Sequence, residues 1–245
     1  MTDGLQIVLP MAGLGQRFRA VGELLPKPLI DVDGEPMFRK ALSSLARAGV
    51  TGEVTAVIRA ELQRDHGLGT ALVEALPGLT VVELPAPTGG AAETVLAAPL
   101  DPDRPLLVMD CDIAFESDGY AAAIAHAAGG AADGVLLSFR STDPRYSFAE
   151  TDREGRVVRT AEKVAISENA LMGVYFFRRA GDFVRAAEEV VASARASETP
   201  ESYLSLVYNR LLERGATIAL ATGTFYCFGT PEELAAYRET HLPVG

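Results

Sequence analysis

Short apolar runs alternate with amphipathic segments through the first half of the chain. Residues 5–11 form a short, mostly apolar run bounded by turn residues, which is typical of a strand buried on both faces of a parallel sheet. Residues 36–48 carry their apolar side chains on one helical face, and residues 53–58, which are mostly apolar, predict a second strand. The alternation continues and predicts helices at 61–75, 91–98 and 120–128 and strands at 79–84, 105–109 and 135–140.

The pattern changes after about residue 141, where short strands become more frequent. Two apolar segments flank the polar turn 152–155, and this arrangement predicts a β-hairpin over residues 148–162. Further along, the pattern predicts strands at 171–178 and 216–222 and helices at 182–194, 201–214 and from 231 onward. The sequence shows no Pro/Ser-rich linker and no internal repeat between the halves.

Strands that alternate with helices predict the fold class. We expect an α/β fold with a Rossmann-like, open mixed and mostly parallel sheet flanked by helices, and a small β-containing lobe after about residue 141. Residues 1–245 are expected to form a single domain, because a chain of this length can build one large core. Sheets of this type bind ligands at the carboxyl ends of their strands, so the residues that follow predicted strands are the first candidates for a site.

Composition narrows the class of partner. The 33 acidic and 22 basic residues give a formal net charge of −11, and no block of Lys and Arg stands out, which argues against nucleic acid and anionic membrane as partners. Cys111 and Cys227 are too few for a disulfide framework or a Cys-based zinc site. The sequence shows neither a cleavable signal nor a long apolar span, and it therefore predicts a cytoplasmic protein.

A glycine loop with two cations directly follows the first predicted strand. It contains Gly13, Gly15, Arg17 and Lys27. A dinucleotide-binding loop requires a third glycine where Phe18 stands, and a Walker A loop requires a Gly-Lys-Ser/Thr sequence that is absent. A third interpretation fits better: the backbone N–H groups of the loop cradle a triphosphate, and the two cations neutralise its charge.

A pair of carboxylates follows the buried strand predicted at 105–109. The side chains of Asp110 and Asp112 are two residues apart, so an extended chain points both to one side and Cys111 to the other. Two hard oxygen donors on one side suit Mg²⁺, which would also contact nucleotide phosphates. A D-x-D sequence also occurs where an aspartate simply serves a turn, so the spacing alone leaves both roles open.

The glycine loop and a second segment together resemble a known family. Residues 12–17 (Ala-Gly-Leu-Gly-Gln-Arg) and 26–29 (Pro-Lys-Pro-Leu) are similar to the signature of the nucleotidyltransferases that make sugar nucleotides, the sugar-1-phosphate pyrophosphorylases. Relatives in that family use phosphocholine or other phosphorylated acceptors. The resemblance implies that residues 1–140, approximately, bind an NTP with Mg²⁺ as cofactor, and that residues 141–245 bind a small phosphorylated acceptor.

The resemblance also implies roles for individual residues. It assigns catalysis to Arg17, Lys27, Asp110 and Lys163, and metal binding to Asp110 and Asp112. It assigns nucleotide binding to Ala12, Gly13, Leu14, Gly15, Gln16, Thr88, Gly89 and Gly90, and acceptor binding to Glu162, Lys163, Asn169 and Gly173. Neighbours in a regular strand point to opposite faces, so either the strand has ended by Glu162 or only Lys163 faces the site.

One position departs from the family pattern. Residues 225–231 resemble the family's Trp-x-Asp-x-Gly-Thr-Pro stretch, but Cys227 stands where the metal-binding Asp is expected, and a neutral thiol is a poor ligand for Mg²⁺. The expected reaction is transfer of NMP from an NTP to a sugar 1-phosphate with release of pyrophosphate, which supplies polysaccharide or glycoside biosynthesis. Three alternatives stay open: a cytidylyltransferase for a non-sugar phosphate, a D-x-D glycosyltransferase and a non-catalytic nucleotide-binding relative. The sequence does not indicate which NTP is used, and it leaves the oligomeric state open, with a homo-oligomer as one possibility.

Overall fold

The computed structural model describes residues 4–197 and 201–240. Its strands are β1 (Gln6–Met11), β2 (Asp31–Val32), β3 (Glu35–Pro36), β4 (Glu53–Arg59), β5 (Thr80–Leu84), β6 (Leu106–Met109), β7 (Ile113–Glu116), β8 (Gly134–Arg140), β9 (Ser147–Thr151), β10 (Val157–Glu162), β11 (Asn169–Phe177), β12 (Ile218–Thr222) and β13 (Thr224–Cys227). Its α-helices are α1 (Gln16–Ala20), α2 (Met37–Arg47), α3 (Ala60–His66), α4 (Leu68–Ala75), α5 (Ala91–Leu96), α6 (Tyr120–His126), α7 (Ala180–Arg195), α8 (Leu204–Glu213) and α9 (Pro231–Thr240).

The large sheet has a parallel centre and an antiparallel flank. Strands β4 and β6 pair parallel on either side of β1, and β5 extends the parallel part beyond β4. Strand β11 is antiparallel to β6, β8 and β9, while β10 pairs with β9 and β12 runs parallel to β8. The predicted fold class, an α/β fold with an open mixed sheet flanked by helices, is confirmed, and the β9–β10 hairpin forms the predicted β-containing lobe.

Helices cover both faces of the sheet, which explains why β1 is apolar at consecutive positions. On one face, Ile7 and Leu9 belong to a buried cluster with Phe38 of α2. On the other face, Val8 belongs to a second cluster with Val95 of α5. A strand with both faces buried has no solvent side to leave polar, so it lacks alternation. The core therefore holds the carboxyl ends of β1 and β6 in fixed positions.

The structure differs from the predicted elements at several points. The helix predicted at 61–75 is broken at Gly67, which has a left-handed φ of 63° and separates α3 from α4. The five-residue helix α1 and the short β2–β3 pair were not predicted. The pairing of β7 with β13 was also missed, because it joins segments more than a hundred residues apart. That pairing matters for the site, since it places Cys227 opposite Ile113.

Among the described residues, no helix combines the length and the apolar character that crossing a bilayer requires.

Candidate active site

A cleft of about 600 Å³ opens where β1 and β6 end, between the parallel part of the sheet and the β-containing lobe. Side chains from both halves of the sequence line it. The first half contributes Arg17, Lys27, Asp110 and Asp112, and the second contributes Arg145, Tyr146, Glu162, Lys163, Gly173, Tyr175, Tyr203, Cys227 and Glu233. The residues for which the sequence predicted catalytic and metal-binding roles therefore meet in one cleft.

The glycine loop is shaped by Gly15 and by the turn that carries Lys27. Gly15 has a left-handed φ of 61°, and α1 begins at the next residue. A Cβ atom on Gly15 would lie 3.2 Å from Cβ of Lys27, so the glycine lets the two segments pack closely. Phe18, which occupies the third-glycine position of a dinucleotide loop, is buried in a small cluster with Phe228 and Leu234. It therefore anchors the loop to the core.

Asp110 and Asp112 follow β6, and both line the cleft, whereas Cys111 is buried in the core. This arrangement is the one that the spacing of two residues predicts. Nζ of Lys27 forms an ion pair and a short hydrogen bond with Oδ2 of Asp112. Burial lowers the pKa of Lys27, but the negative charge of Asp112 acts in the opposite direction and the net effect raises it. The ion pair thus joins the glycine-loop segment to the end of β6.

The environment of Asp110 disfavours an uncompensated negative charge on its carboxyl group. Burial, together with repulsion from Asp112, raises the pKa of the Asp110 carboxyl to about 8, while Lys27 acts in the opposite direction. Within residues 4–197 and 201–240, no group of three or more His, Cys, Asp or Glu side chains could hold a metal ion alone. Mg²⁺, however, is commonly held by one or two carboxylates, substrate phosphates and water. The two aspartates therefore fit Mg²⁺ that arrives with a nucleotide.

Gly173 determines where the Asp110 carboxylate can lie. The backbone N–H of Asp110 donates to the carbonyl oxygen of Gly173 at 2.9 Å. Gly173 has a φ of 81°, and a Cβ atom at this position would lie 2.3 Å from Oδ2 of Asp110. The sequence attributed this glycine to close approach of a ligand. The structure shows that a protein carboxylate occupies the space, and the acceptor-binding role of Gly173 stays a prediction.

Glu162 and Lys163 both face the cleft because β10 ends at Glu162. Lys163 has a left-handed φ of 56°, which is uncommon for a residue with a side chain and turns the backbone away from the strand direction. Of the two alternatives above, the one in which the strand has ended is therefore correct. Oε2 of Glu162 accepts a hydrogen bond from the Ser205 hydroxyl at 2.8 Å, and burial raises the pKa of Glu162. Nζ of Lys163 donates to the Tyr203 hydroxyl at 2.7 Å.

The remaining predicted site residues are not among those that line the cleft. Ala12, Gly13, Leu14 and Gln16 form the glycine loop with Gly15, and Thr88, Gly89 and Gly90 connect β5 to α5. A Cβ atom on Gly90 would lie 2.6 Å from the backbone nitrogen of Ser202, so this glycine packs against the second half. The side chain of Asn169 donates to the carbonyl oxygen of Ala149 at 3.2 Å, within the sheet. Contacts of these residues with a nucleotide or an acceptor stay predictions.

Several further residues of the cleft were not singled out from the sequence. Arg145, in the loop between β8 and β9, forms an ion pair with Glu233 in the first turn of α9, and its guanidinium lies 4.6 Å from the ring centroid of Tyr146. Tyr203 contacts Lys163 as described above. Nothing in the local sequence indicates which distant side chains these residues contact.

The pairing of β7 with β13 places Cys227 at the cleft. Its thiol donates to Oε2 of Glu233 at 3.2 Å. Burial, with the nearby charges of Asp112 and Glu233, raises the pKa of Cys227, so the thiol is protonated at neutral pH. Glu233 thus supplies a carboxylate directly beside the position where the family pattern led us to expect one.

The cleft brings together cations from both halves of the sequence and two carboxylates at a strand end. A phosphate-rich ligand requires such groups, so the fold and the cleft are those of a nucleotide-binding protein of the α/β class. Comparison with protein families gives the more specific assignment. The chain belongs to the family of MobA-like NTP transferase domains, whose profile matches residues 7–165. The matched region includes the glycine loop, the aspartate pair and the Glu162-Lys163 pair.

Two curated relatives match the chain at modest sequence identity. The chain is 32% identical over 123 residues to an N-acetylmuramate α-1-phosphate uridylyltransferase from Neisseria meningitidis, a match that covers 48% of this chain and 51% of the relative. It is 30% identical over 183 residues to a mannose-1-phosphate guanylyltransferase from Mycobacterium tuberculosis, covering 73% of this chain and 50% of the relative. The chain thus spans about half the length of these curated relatives.

Solved structures resemble the whole chain. A nucleoside-diphosphate-sugar pyrophosphorylase from Vibrio cholerae superposes with a TM-score of 0.82 at 25% identity, covering 95% of this chain and 99% of the other. A protein from Bacillus anthracis superposes with a TM-score of 0.77 at 20% identity, covering 99% of this chain and 98% of the other. At that identity the second likeness shows the fold alone.

Proposed function

We propose that this chain transfers a nucleoside monophosphate from an NTP to a small phosphorylated acceptor and releases pyrophosphate. The proposed acceptor is a sugar 1-phosphate, and the product is a nucleotide-activated sugar for polysaccharide or glycoside biosynthesis. One observation carries the proposal: Lys27 and Asp110 of the nucleotide-binding half line the same cleft as Lys163 of the other half. A cytoplasmic location is part of the proposal, because the reaction draws on a soluble pool of NTPs.

In the proposed reaction, an oxygen of the acceptor phosphate attacks the α-phosphorus of the NTP. The bond from the α-phosphorus to the oxygen that bridges to the β-phosphate breaks, and pyrophosphate leaves with that oxygen. A phosphate oxygen is already nucleophilic, so the protein acts by aligning the reactants and stabilising charge. Arg17 and Lys27 neutralise the leaving pyrophosphate, and Lys163 holds the acceptor phosphate. Lys27 exchanges its contact with Asp112 for one with the nucleotide.

Asp110 and Asp112 are the side chains that would hold Mg²⁺. When bound, the ion neutralises phosphate charge and stabilises the leaving pyrophosphate. Cys227 is not part of this set, because its thiol stays protonated at neutral pH. Mg²⁺ dependence is supported by the two carboxylates, which line the cleft together at the end of β6 and are the kind of ligand that Mg²⁺ prefers.

The acceptor side of the cleft favours a sugar over a quaternary ammonium compound. A choline-type head group is usually bound on the faces of aromatic rings. Here the guanidinium of Arg145 already lies over Tyr146, and the hydroxyl of Tyr203 already accepts a hydrogen bond from Nζ of Lys163. The Glu162 carboxylate can accept hydrogen bonds from hydroxyl groups. The relatives from Neisseria and Mycobacterium are named for sugar 1-phosphate acceptors, which supports the same choice.

Pyrophosphate release from a matrix of substrates tests the proposal. ATP, CTP, GTP, UTP and dTTP are each combined with the 1-phosphates of glucose, mannose and N-acetylmuramate, and with phosphocholine. We expect pyrophosphate and a nucleotide sugar of the matching mass in at least one combination, and no turnover when EDTA removes Mg²⁺. Release only with phosphocholine would identify the non-sugar alternative. NTP binding without release would indicate a non-catalytic relative, and consumption of a preformed nucleotide sugar would indicate a glycosyltransferase.

A further inference from the structure

The ammonium group of Lys163 is held by the hydroxyl of Tyr203. Nζ donates a hydrogen bond to that hydroxyl at 2.7 Å, and it lies 4.7 Å from the ring centroid, at the hydroxyl end of the ring. The hydroxyl in turn donates to Oε2 of Glu201, which lies 3.7 Å from Nζ of Lys163. The hydroxyl of Tyr203 thus links Lys163 to Glu201.

The hydrogen bond to Tyr203 restricts an otherwise exposed lysine. The side chain of Lys163 is 54% exposed, and its left-handed backbone follows the end of β10. A lysine has a flexible four-carbon stem, and ordering that stem is entropically unfavourable. A hydroxyl that holds the ammonium before a substrate arrives reduces the entropic cost that substrate binding must overcome.

Tyr203 is itself fixed by the residue before it. The backbone N–H of Ser202 donates to the carbonyl oxygen of Gly89 at 2.7 Å, and the N–H of Ala92 donates to the carbonyl oxygen of Ser202 at 3.0 Å. The close packing of Gly90 against Ser202 allows these bonds to form. Since Gly89 and Gly90 belong to the nucleotide-binding half, Tyr203 occupies a defined place relative to that half.

We infer that Tyr203 is a positioning residue, which orients Lys163 so that the acceptor phosphate is held in a fixed place relative to the nucleotide. This inference rests on the proposed function, in which Lys163 binds that phosphate. Tyr203 needs no contact with either substrate. Its removal therefore affects acceptor binding more than nucleotide binding.

Steady-state kinetics of Tyr203→Phe and Tyr203→Ala test this inference. Tyr203→Phe keeps the ring and loses the hydrogen bond, and we expect the acceptor KM to rise about tenfold, as for a hydrogen bond to a charged group, with little change in the NTP KM. Tyr203→Ala also loses the ring and raises the acceptor KM further. In the Lys163→Ala background, the additional substitution Tyr203→Phe should not change the acceptor KM further, because the lysine that Tyr203 orients is no longer present.

Tyr237→Phe is the matched control. It also removes a tyrosine hydroxyl that donates to a carboxylate, in this case that of Asp33, but Tyr237 does not line the cleft.

A readout independent of activity uses the three lysines of the chain, at positions 27, 40 and 163. After reductive methylation with ¹³C-formaldehyde, the methyl resonance of Lys163 is expected to titrate at a higher pH in the wild-type protein than in Tyr203→Phe, because the hydrogen bond to the Tyr203 hydroxyl raises the pKa of the ammonium.

The possible failures are distinguishable. If the wild-type protein releases no pyrophosphate with any acceptor, the proposed function fails, and the inference about acceptor binding fails with it. If the wild-type protein turns over but Tyr203→Phe and Tyr203→Ala leave the acceptor KM unchanged, only the inference is overturned. A Lys163 resonance that titrates at the same pH in the wild-type protein and in Tyr203→Phe would overturn it as well.

Discussion

The carboxylate of Asp110 occupies the space that a side chain at position 173 would need. A Cβ atom on residue 173 would lie 2.3 Å from Oδ2 of Asp110, closer than any stable contact, and the φ of Gly173 is 81°. The carboxylate proposed to bind the metal is therefore positioned by the absence of a side chain on the neighbouring strand. A substitution at Gly173 must move Asp110 or distort β11.

Gly173→Ala is expected to lower turnover by more than about tenfold, since displacing a catalytic group by about 1 Å can reduce the rate by as much as 10²-fold. Gly155→Ala is the matched control, because Gly155 has nearly the same φ, 79°, but a Cβ atom there would have no neighbour within 4 Å. Both variants should lose stability through backbone strain, roughly 1–2 kcal/mol. Thermal unfolding and pyrophosphate release separate the two effects, and equal activity in both variants would contradict the role of Gly173.

Lys27→Ala and Asp110→Ala are each expected to reduce pyrophosphate release by about 10²-fold or more, because each removes a group that stabilises charge in the transition state. Lys40→Ala serves as the control, since Lys40 pairs with Asp33 and does not line the cleft. Circular dichroism should show a folded chain in all three. Near wild-type release by both cleft variants would mean that the site assignment is wrong.

Asp110 makes stability depend on pH. Its carboxyl pKa is about 8 in the folded protein and near 3.8 when unperturbed, so between these values the folded state holds a proton that the unfolded state has released. Stability in the absence of Mg²⁺ should therefore fall as pH rises from about 5 to 8, and Asp110→Asn should remove much of this dependence. Unfolding midpoints measured in EDTA across this range provide the test.

Asp152→Asn is the control for the pH experiment. Asp152 is half-buried, and the hydrogen bond that it accepts from the backbone of Arg156 lowers the carboxyl pKa, so its titration lies below the range measured. The slope from pH 5 to 8 should match that of the wild-type protein. If Asp110→Asn also keeps the wild-type slope, Asp110 is not the group responsible.

Both cysteines should react slowly with alkylating reagents. Burial raises the pKa of Cys111 to about 12 and raises that of Cys227 further, so little thiolate is present at pH 7.5. Mass spectrometry after iodoacetamide treatment should show little modification of the folded protein and rapid modification in urea. Cys227→Ser should keep pyrophosphate release, because the proposed mechanism uses no thiol. Rapid alkylation of folded Cys227, or loss of activity in Cys227→Ser, would contradict this assignment.

Local sequence predicted much of the nucleotide-binding half. The consecutive apolar positions of β1 and β6 predicted strands buried on both faces, and these strands deliver the glycine loop and the aspartate pair to one edge of the sheet. The two-residue spacing of Asp110 and Asp112 also predicted that both would face the same side. These features follow from strand periodicity and parallel pairing, which act over a few residues and one neighbouring strand.

The features that complete the cleft depend on tertiary structure. The β7–β13 pairing places Cys227 and Glu233 near Asp112, and the packing of Gly90 on Ser202 places Tyr203 beside Lys163. The direction of the Lys163 side chain depends on the left-handed backbone conformation of Lys163 itself, directly after β10. Strand periodicity did not predict this conformation. The sequence by itself therefore determined the class of fold and the residue types of the phosphate site. Only the tertiary structure decided which distant side chains meet there, because such contacts depend on how separate elements pack and not on local periodicity.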